Sequence, residues 1–112
     1  MENDARGPGC DRMRRADYGY CLTVLVYDVA LDRRREKLYA LLKEYGVPVQ
    51  KSAFEARLTI WERRRLLERA TAILDPNEDR FVIYVIPGDR EASIVSLGLP
   101  RPEVKVPRFF IV

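Results

Sequence analysis

The chain has 112 residues, 47% of them hydrophobic and 33% charged. That balance fits one soluble globular domain and excludes a disordered polyelectrolyte, a collagen-like repeat or a second substantial core. With no histidine and only Cys10 and Cys21, a Ser–His or Cys–His nucleophile pair is excluded and a structural zinc site is disfavoured, so any catalysis falls to carboxylates, tyrosines and a hard cation.

A Cys10–Cys21 disulfide is formally possible, but two unevenly placed cysteines do not make a secreted disulfide framework. The formal charge of +3 is a modest attraction to polyanions. Sixteen of the twenty basic residues are arginine, whose planar fork matches a phosphate bidentately, although GC-rich coding gives the same usage. The basic excess lies in residues 20–76, since residues 1–19 and 77–112 are each balanced. The longest uncharged stretch, Tyr18 to Tyr27, is about half of the roughly 20 apolar residues that span a bilayer, and no signal-peptide core precedes it. A cytoplasmic protein without a membrane partner is expected.

Residues 1–19 mix Gly7, Pro8 and Gly9 with scattered charges and read as a flexible N-terminal extension, dispensable for folding. The run YCLTVLVYDV, Tyr20 to Val29, is β-branched and aromatic throughout, which predicts a central strand covered on both faces, with Asp28 near its end. From Leu31 to Gly46, the spacing of Leu38, Leu41, Leu42 and Tyr45 predicts a helix with one buried stripe, Asp32 as N-cap and Gly46 as C-terminal stop. Val47 to Leu58 reads as extended, with no turn signal to split it and with Pro48 confining its start to an edge. Thr59 and Glu62 form a capping box for a second helix buried through Leu66, Leu67, Ala70, Ile73 and Leu74 and ended by Pro76. RFVIYVI, Arg80 to Ile86, is a second buried-type strand, Ala92 to Leu97 offers another short one, and VKVPRFFIV closes the chain with apolar residues that need an edge or a partner. The order strand, helix, one or two strands, helix, strand is that of a ferredoxin-like α+β sandwich.

In that order and spacing, over residues 20–90, the pieces VLVYDV, DRRREK, LLKEYG, QKSAFEARL and ILDPNEDRFVIYVI resemble the Cas-Two family. These are small CRISPR-associated proteins that work with the larger adaptation integrase in acquiring new spacers. The resemblance implies a ferredoxin-like βαββαβ sandwich over residues 20–90. It adds a C-terminal strand within residues 91–112, domain-swapped in a homodimer or docked on a partner. It also implies an Asp at the end of the first strand that faces its symmetry mate, where some members bind a divalent metal such as Mg²⁺ and cleave nucleic acid. Asp28 supplies that residue, Tyr27 the preceding aromatic, Arg35 the arginine of the first helix, and Ser52 and Phe54 the S-x-F stretch. The chain departs from the pattern at Val47, Pro48 and Val49, where many relatives carry a basic residue, in its longer N-terminal extension, and after Gly88.

The chemistry follows from these residue types. A carboxylate between a central strand and a helix stands where ligands commonly sit; Asp28 either serves there, or caps the helix or pairs with Arg33, Arg34 or Arg35. Mg²⁺ keeps several waters and is held by one or two carboxylates plus substrate phosphate, a need that two copies of Asp28 in a dimer would meet. Arg33, Arg34 and Arg35 on a helix N-terminus make a phosphate site or a solvated charge face. Arg63, Arg64 and Arg65 pair with Glu62 and Glu68 or grip a duplex backbone. Tyr27 and Phe54 stack on bases and position a phosphate, or belong to the core; Trp61 serves packing or a partner contact. The functional expectation is a homodimeric spacer-acquisition protein that binds DNA or RNA and bridges the integrase, with metal-dependent phosphodiesterase activity on single-stranded RNA or double-stranded DNA. The alternatives are a toxin-type endoribonuclease of the same fold and a purely structural adaptor.

Overall fold

The computed structural model describes residues 19–106. Strand β1 (Cys21–Asp28) forms where the β-branched run predicts it, and alternation of side chains sorts its residues between two faces. Cys21, Thr23, Leu25 and Tyr27 are buried on one face; on the other Leu22 is buried, Val24 and Val26 are half-buried and Asp28 is exposed.

Helix α1 (Asp32–Tyr45) buries Leu38, Leu41, Leu42 and Tyr45, the predicted stripe. Its N-cap is Leu31, with no side-chain hydrogen bond. Asp32 is the first helical residue, and its carboxylate is drawn to Arg35 one turn on rather than to the helix N–H groups. At the other end the Gly46 N–H donates to Leu42 O and the chain runs straight on in extended conformation. Glycine is needed for close approach, because a Cβ there would lie 2.2 Å from Glu55 O.

The stretch expected to be continuous is a hairpin of β2 (Gly46–Gln50) and β3 (Ala53–Leu58) around Lys51 and Ser52. The turn is fixed from outside: the Tyr27 N–H donates to Ser52 O at 3.1 Å and the Tyr27 hydroxyl to Lys51 O at 3.4 Å. Pro48 lies in the edge strand, where a missing N–H costs least.

Helix α2 (Ile60–Ile73) opens with both bonds of the predicted capping box, Glu62 N–H to Thr59 Oγ1 at 3.1 Å and Thr59 N–H to Glu62 Oε1 at 2.8 Å. Leu66 and Ala70 are buried, whereas Leu67 is 49% exposed and turns away from the core. After a turn at Asp75, β4 (Arg80–Ile86) completes the sheet and a 3₁₀ helix follows at Gly88–Ser93. The short strand expected at Ala92–Leu97 is absent, since Glu91 and its neighbours are taken into that 3₁₀ turn.

The sheet is antiparallel in the order β2–β3–β1–β4, with both helices on one face over a single cluster that includes Leu25, Phe54, Leu58, Leu38, Leu42 and Leu66. This is a ferredoxin-like α+β sandwich. Residues 94–106 form no strand; Arg57 Nε on Val104 O at 3.1 Å and Arg101 on Glu55 hold them to β3, and the two terminal nitrogens of Arg57 hold Glu91 of the 3₁₀ helix at 2.8 and 3.0 Å. Residues 1–18 and 107–112 lie outside the described residues, and with them most of the expected N-terminal extension and the last apolar residues of the C-terminal strand. Cys21 is disulfide-bonded rather than free; Cys10, the partner the sequence offers, lies outside the described residues. Among the described residues no helix is long and apolar enough to cross a membrane.

Candidate nucleic-acid and metal site

Asp28 is the last residue of the central strand, exposed, on the sheet face that the helices leave open. Its side chain makes no hydrogen bond or ion pair among the described residues. Its cross-strand neighbour is Arg80, so a cation stands next to it in register without being bonded to it. The three arginines that compete for Asp28 on paper divide their contacts otherwise.

Arg34 places Nε 2.7 Å from Asp79 Oδ2 and Nη2 2.9 Å from Glu78 Oε1. This pairing raises the Arg34 pKa further and, with the Arg34 hydrogen bonds as the main cause, holds the Asp79 carboxyl well below the usual carboxylate range. Arg35 bonds Asp32 and donates Nη2 to Val29 O at 2.8 Å. Arg33 is exposed and without a partner among the described residues.

The second triplet divides in the same way. Arg63 is 7% exposed and donates to Leu58 O at 3.0 Å. Arg64 is exposed and stacks over Trp61, 5.3 Å from the ring centre, and Arg65 is exposed. Trp61 is itself 63% exposed, so this cation–aromatic pair faces solvent.

Tyr27 and Phe54 are buried on the helix-covered face, with ring centres 6.4 Å apart. Adjacent strand residues point to opposite faces, so Tyr27 does not share a surface with Asp28. Burial pushes the Tyr27 hydroxyl pKa up. Tyr39, which nothing in the sequence singles out, stands edge-on to Phe54 at 5.2 Å and lies under the Lys43 ammonium. Ser52 is exposed in the hairpin turn, where its carbonyl holds Tyr27. Of the residues singled out from sequence, Asp28, Arg33, Ser52, Trp61, Arg64 and Arg65 thus present to solvent, and Arg34 and Arg35 in part.

Two functional neighbours escape a sequence reading: Asp79 and Arg80 form an ordinary charged dipeptide until the register sets them beside the end of β1. Among the described residues no three carboxylate or thiol groups converge to hold a metal. At the end of β1 the described residues of one chain therefore supply one unbonded carboxylate, Asp28. That fits a hard cation only when water, substrate phosphate or a second copy supplies the remaining ligands.

Comparison with known proteins agrees with this architecture. The model of the family "CRISPR associated protein Cas2" matches residues 21–94. The CRISPR-associated endoribonuclease Cas2 of Thermus thermophilus is 41% identical over 83 residues, covering 71% of this chain and 88% of the relative. A CRISPR-associated endonuclease Cas2 of the same organism is 39% identical over 87 residues, covering 78% and 93%. The crystal structure of Streptococcus pyogenes Cas2 at pH 6.5 superposes with a TM-score of 0.60 at 27% identity, covering 69% of this chain and 99% of that one.

Proposed function

Because the chain belongs to the CRISPR associated protein Cas2 family, we propose that it serves spacer acquisition as a homodimeric nucleic-acid-binding subunit that bridges the adaptation integrase. In the same reading, paired Asp28 carboxylates carry a divalent-metal-dependent phosphodiesterase activity on single-stranded RNA or double-stranded DNA. One observation carries it. Asp28 is a carboxylate that nothing among the described residues engages, at the end of a doubly paired strand, on an open face where apolar Val24, Val26 and Val82 and half-exposed Tyr84 lie beside the charged Arg80, Glu55 and Arg57. The apolar part of this face asks for a cover, and a second copy laid on it by a two-fold axis would bring two Asp28 side chains toward one another.

The chain's own groups divide the task. Asp28 keeps its oxygens available because nothing among the described residues bonds them, and Arg33 and Arg64 offer guanidinium groups to a phosphate backbone. A bound Mg²⁺ would supply Lewis acidity toward the phosphodiester. An adaptor role without catalysis is the alternative reading, in which the same surfaces bind nucleic acid and Asp28 does no chemistry.

The deciding experiment sets wild type and Asp28→Asn, with Mg²⁺ or chelator, against labelled single-stranded RNA and double-stranded DNA, scoring binding and cleavage on the same samples. Cleavage that needs both Mg²⁺ and Asp28, lost by about a hundredfold or more in the variant with unchanged melting, is the expected result. Equal cleavage by the two proteins overturns the paired-carboxylate site. Arg33→Ala and Arg64→Ala are each expected to lower the salt slope of binding by about 1, without altering sequence preference.

A further inference from the structure

Asp79 is a carboxylate whose side chain is 0% exposed, and it ties the segment just after β1 to α1 and to the turn at Asp75. Its Oδ1 accepts the Ala30 N–H at 2.9 Å and Arg34 Nη2 at 3.1 Å. Its Oδ2 accepts Arg34 Nε at 2.7 Å and the Asp75 N–H at 2.8 Å. The β1–β4 ladder ends at the pair Asp28 and Arg80, and the Asp79–Ala30 bond continues the link between the two chain segments beyond that last pair. On the same loop, Val29 O is held by Arg35 Nη2 at 2.8 Å. The backbone just after Asp28 is thus tied at a carbonyl and an amide, while the Asp28 side chain itself is tied by nothing among the described residues.

We infer that Asp79 and Arg34 are positioning residues for Asp28, and that Arg34 acts through this clamp rather than by touching phosphate. The Arg34 side chain is only 16% exposed and its Nε and Nη2 edge is occupied by Asp79 and Glu78, so the fork that would grip a phosphate is already in use. A carboxylate with no hydrogen bond of its own takes its orientation from its backbone, and groups that orient a ligand in this way affect metal affinity or activity about 10–100-fold. The functional half of this inference rests on Asp28 being the working carboxylate.

The test compares full-length wild type with Arg34→Gln, Arg34→Lys, Asp79→Asn and Asp28→Asn. Four quantities are read: the Mg²⁺ concentration for half-maximal cleavage, the salt slope of duplex binding, the melting temperature, and the exchange rate of the Ala30 amide proton. Arg34→Gln is expected to raise the half-saturating Mg²⁺ by about 10–100-fold and to speed Ala30 exchange at least about tenfold, with the salt slope unchanged and Arg34→Lys intermediate. A general loss of stability would lower melting without shifting the Mg²⁺ requirement of the molecules that remain folded. A salt slope reduced by about 1 in Arg34→Gln, with Mg²⁺ requirement and Ala30 exchange unchanged, makes Arg34 a phosphate contact and overturns the inference. If Asp28→Asn cleaves as well as wild type, the reading of the site has failed instead; Ala30 exchange then decides the clamp alone, and an unchanged rate in Arg34→Gln overturns it.

Discussion

On the helix-covered face of the sheet Leu25, Phe54, Ala56 and Leu58 are all fully buried, whereas on the other face Val24, Val26 and Val82 are half-buried and Asp28, Arg80 and Tyr84 are exposed. The two sets interleave residue by residue along the same strands, so one backbone carries a finished core on one side and an unfinished surface on the other. Stability and recognition are thereby separated by parity in the sequence rather than by region. A substitution at Leu25 or Tyr27 acts on the fold; one at Val24, Val26 or Asp28 acts on what the fold presents, while Leu22, on that second face, is buried.

The largest test of that separation is Phe54→Ala. Phe54 is 0% exposed and touches both Tyr27 and Tyr39, so its loss should cost about 3–5 kcal/mol, read by denaturant unfolding. Nucleic-acid binding per folded molecule should stay unchanged; weakened binding at full folding would put Phe54 on the working surface and break the comparison. Gly46→Ala comes next. The added methyl meets Glu55 O and Ala56 Cβ, and an expected loss of about 1–3 kcal/mol by the same measurement would fall on the edge hairpin. No loss would mean that β2 shifts freely on β3.

The smallest effect belongs to the open face. Arg57 holds the Glu91 carboxyl below its ordinary value of 4.5 through their hydrogen bonds. A depressed folded-state pKa means that the contribution is present above that ordinary value and is lost as pH falls through the lowered one. Acidification below that ordinary value should therefore loosen the 3₁₀ helix Gly88–Ser93 from β3 before the core melts, seen as narrowing of its NMR resonances, and Arg57→Gln should loosen it at neutral pH. Resonances that broaden or vanish only with the core would show that the 3₁₀ helix is part of the cooperative unit.

Much of the fold is legible in the sequence because its signals are local. The capping box at Thr59 and Glu62, the α1 stripe at Leu38, Leu41, Leu42 and Tyr45, and the β-branched runs of β1 and β4 each contain their own reason. The Lys51–Ser52 turn contains none, having neither glycine nor proline; it is written in Tyr27, far away in sequence. Asp28 is legible from its place at a strand end, but the partition of the arginine triplets is not. Arg34 is half-buried against Asp79, which only tertiary structure brings near, and Arg63 is buried with its guanidinium on Leu58 O five residues back, while Arg33 and Arg64, identical in composition, remain outside.

The central position of β1 has a consequence for synthesis. Val24 pairs with Glu55 on one side and with Tyr84 on the other, so the second neighbour is made about 60 residues later, roughly 3–12 s at a translation speed of about 5–20 residues per second. During that interval the apolar run of β1 has one flank unpaired, the condition in which nascent chains associate wrongly. Substitutions that weaken β4 should accordingly reduce the yield of soluble protein at the ribosome before they alter any property of the molecules that do fold.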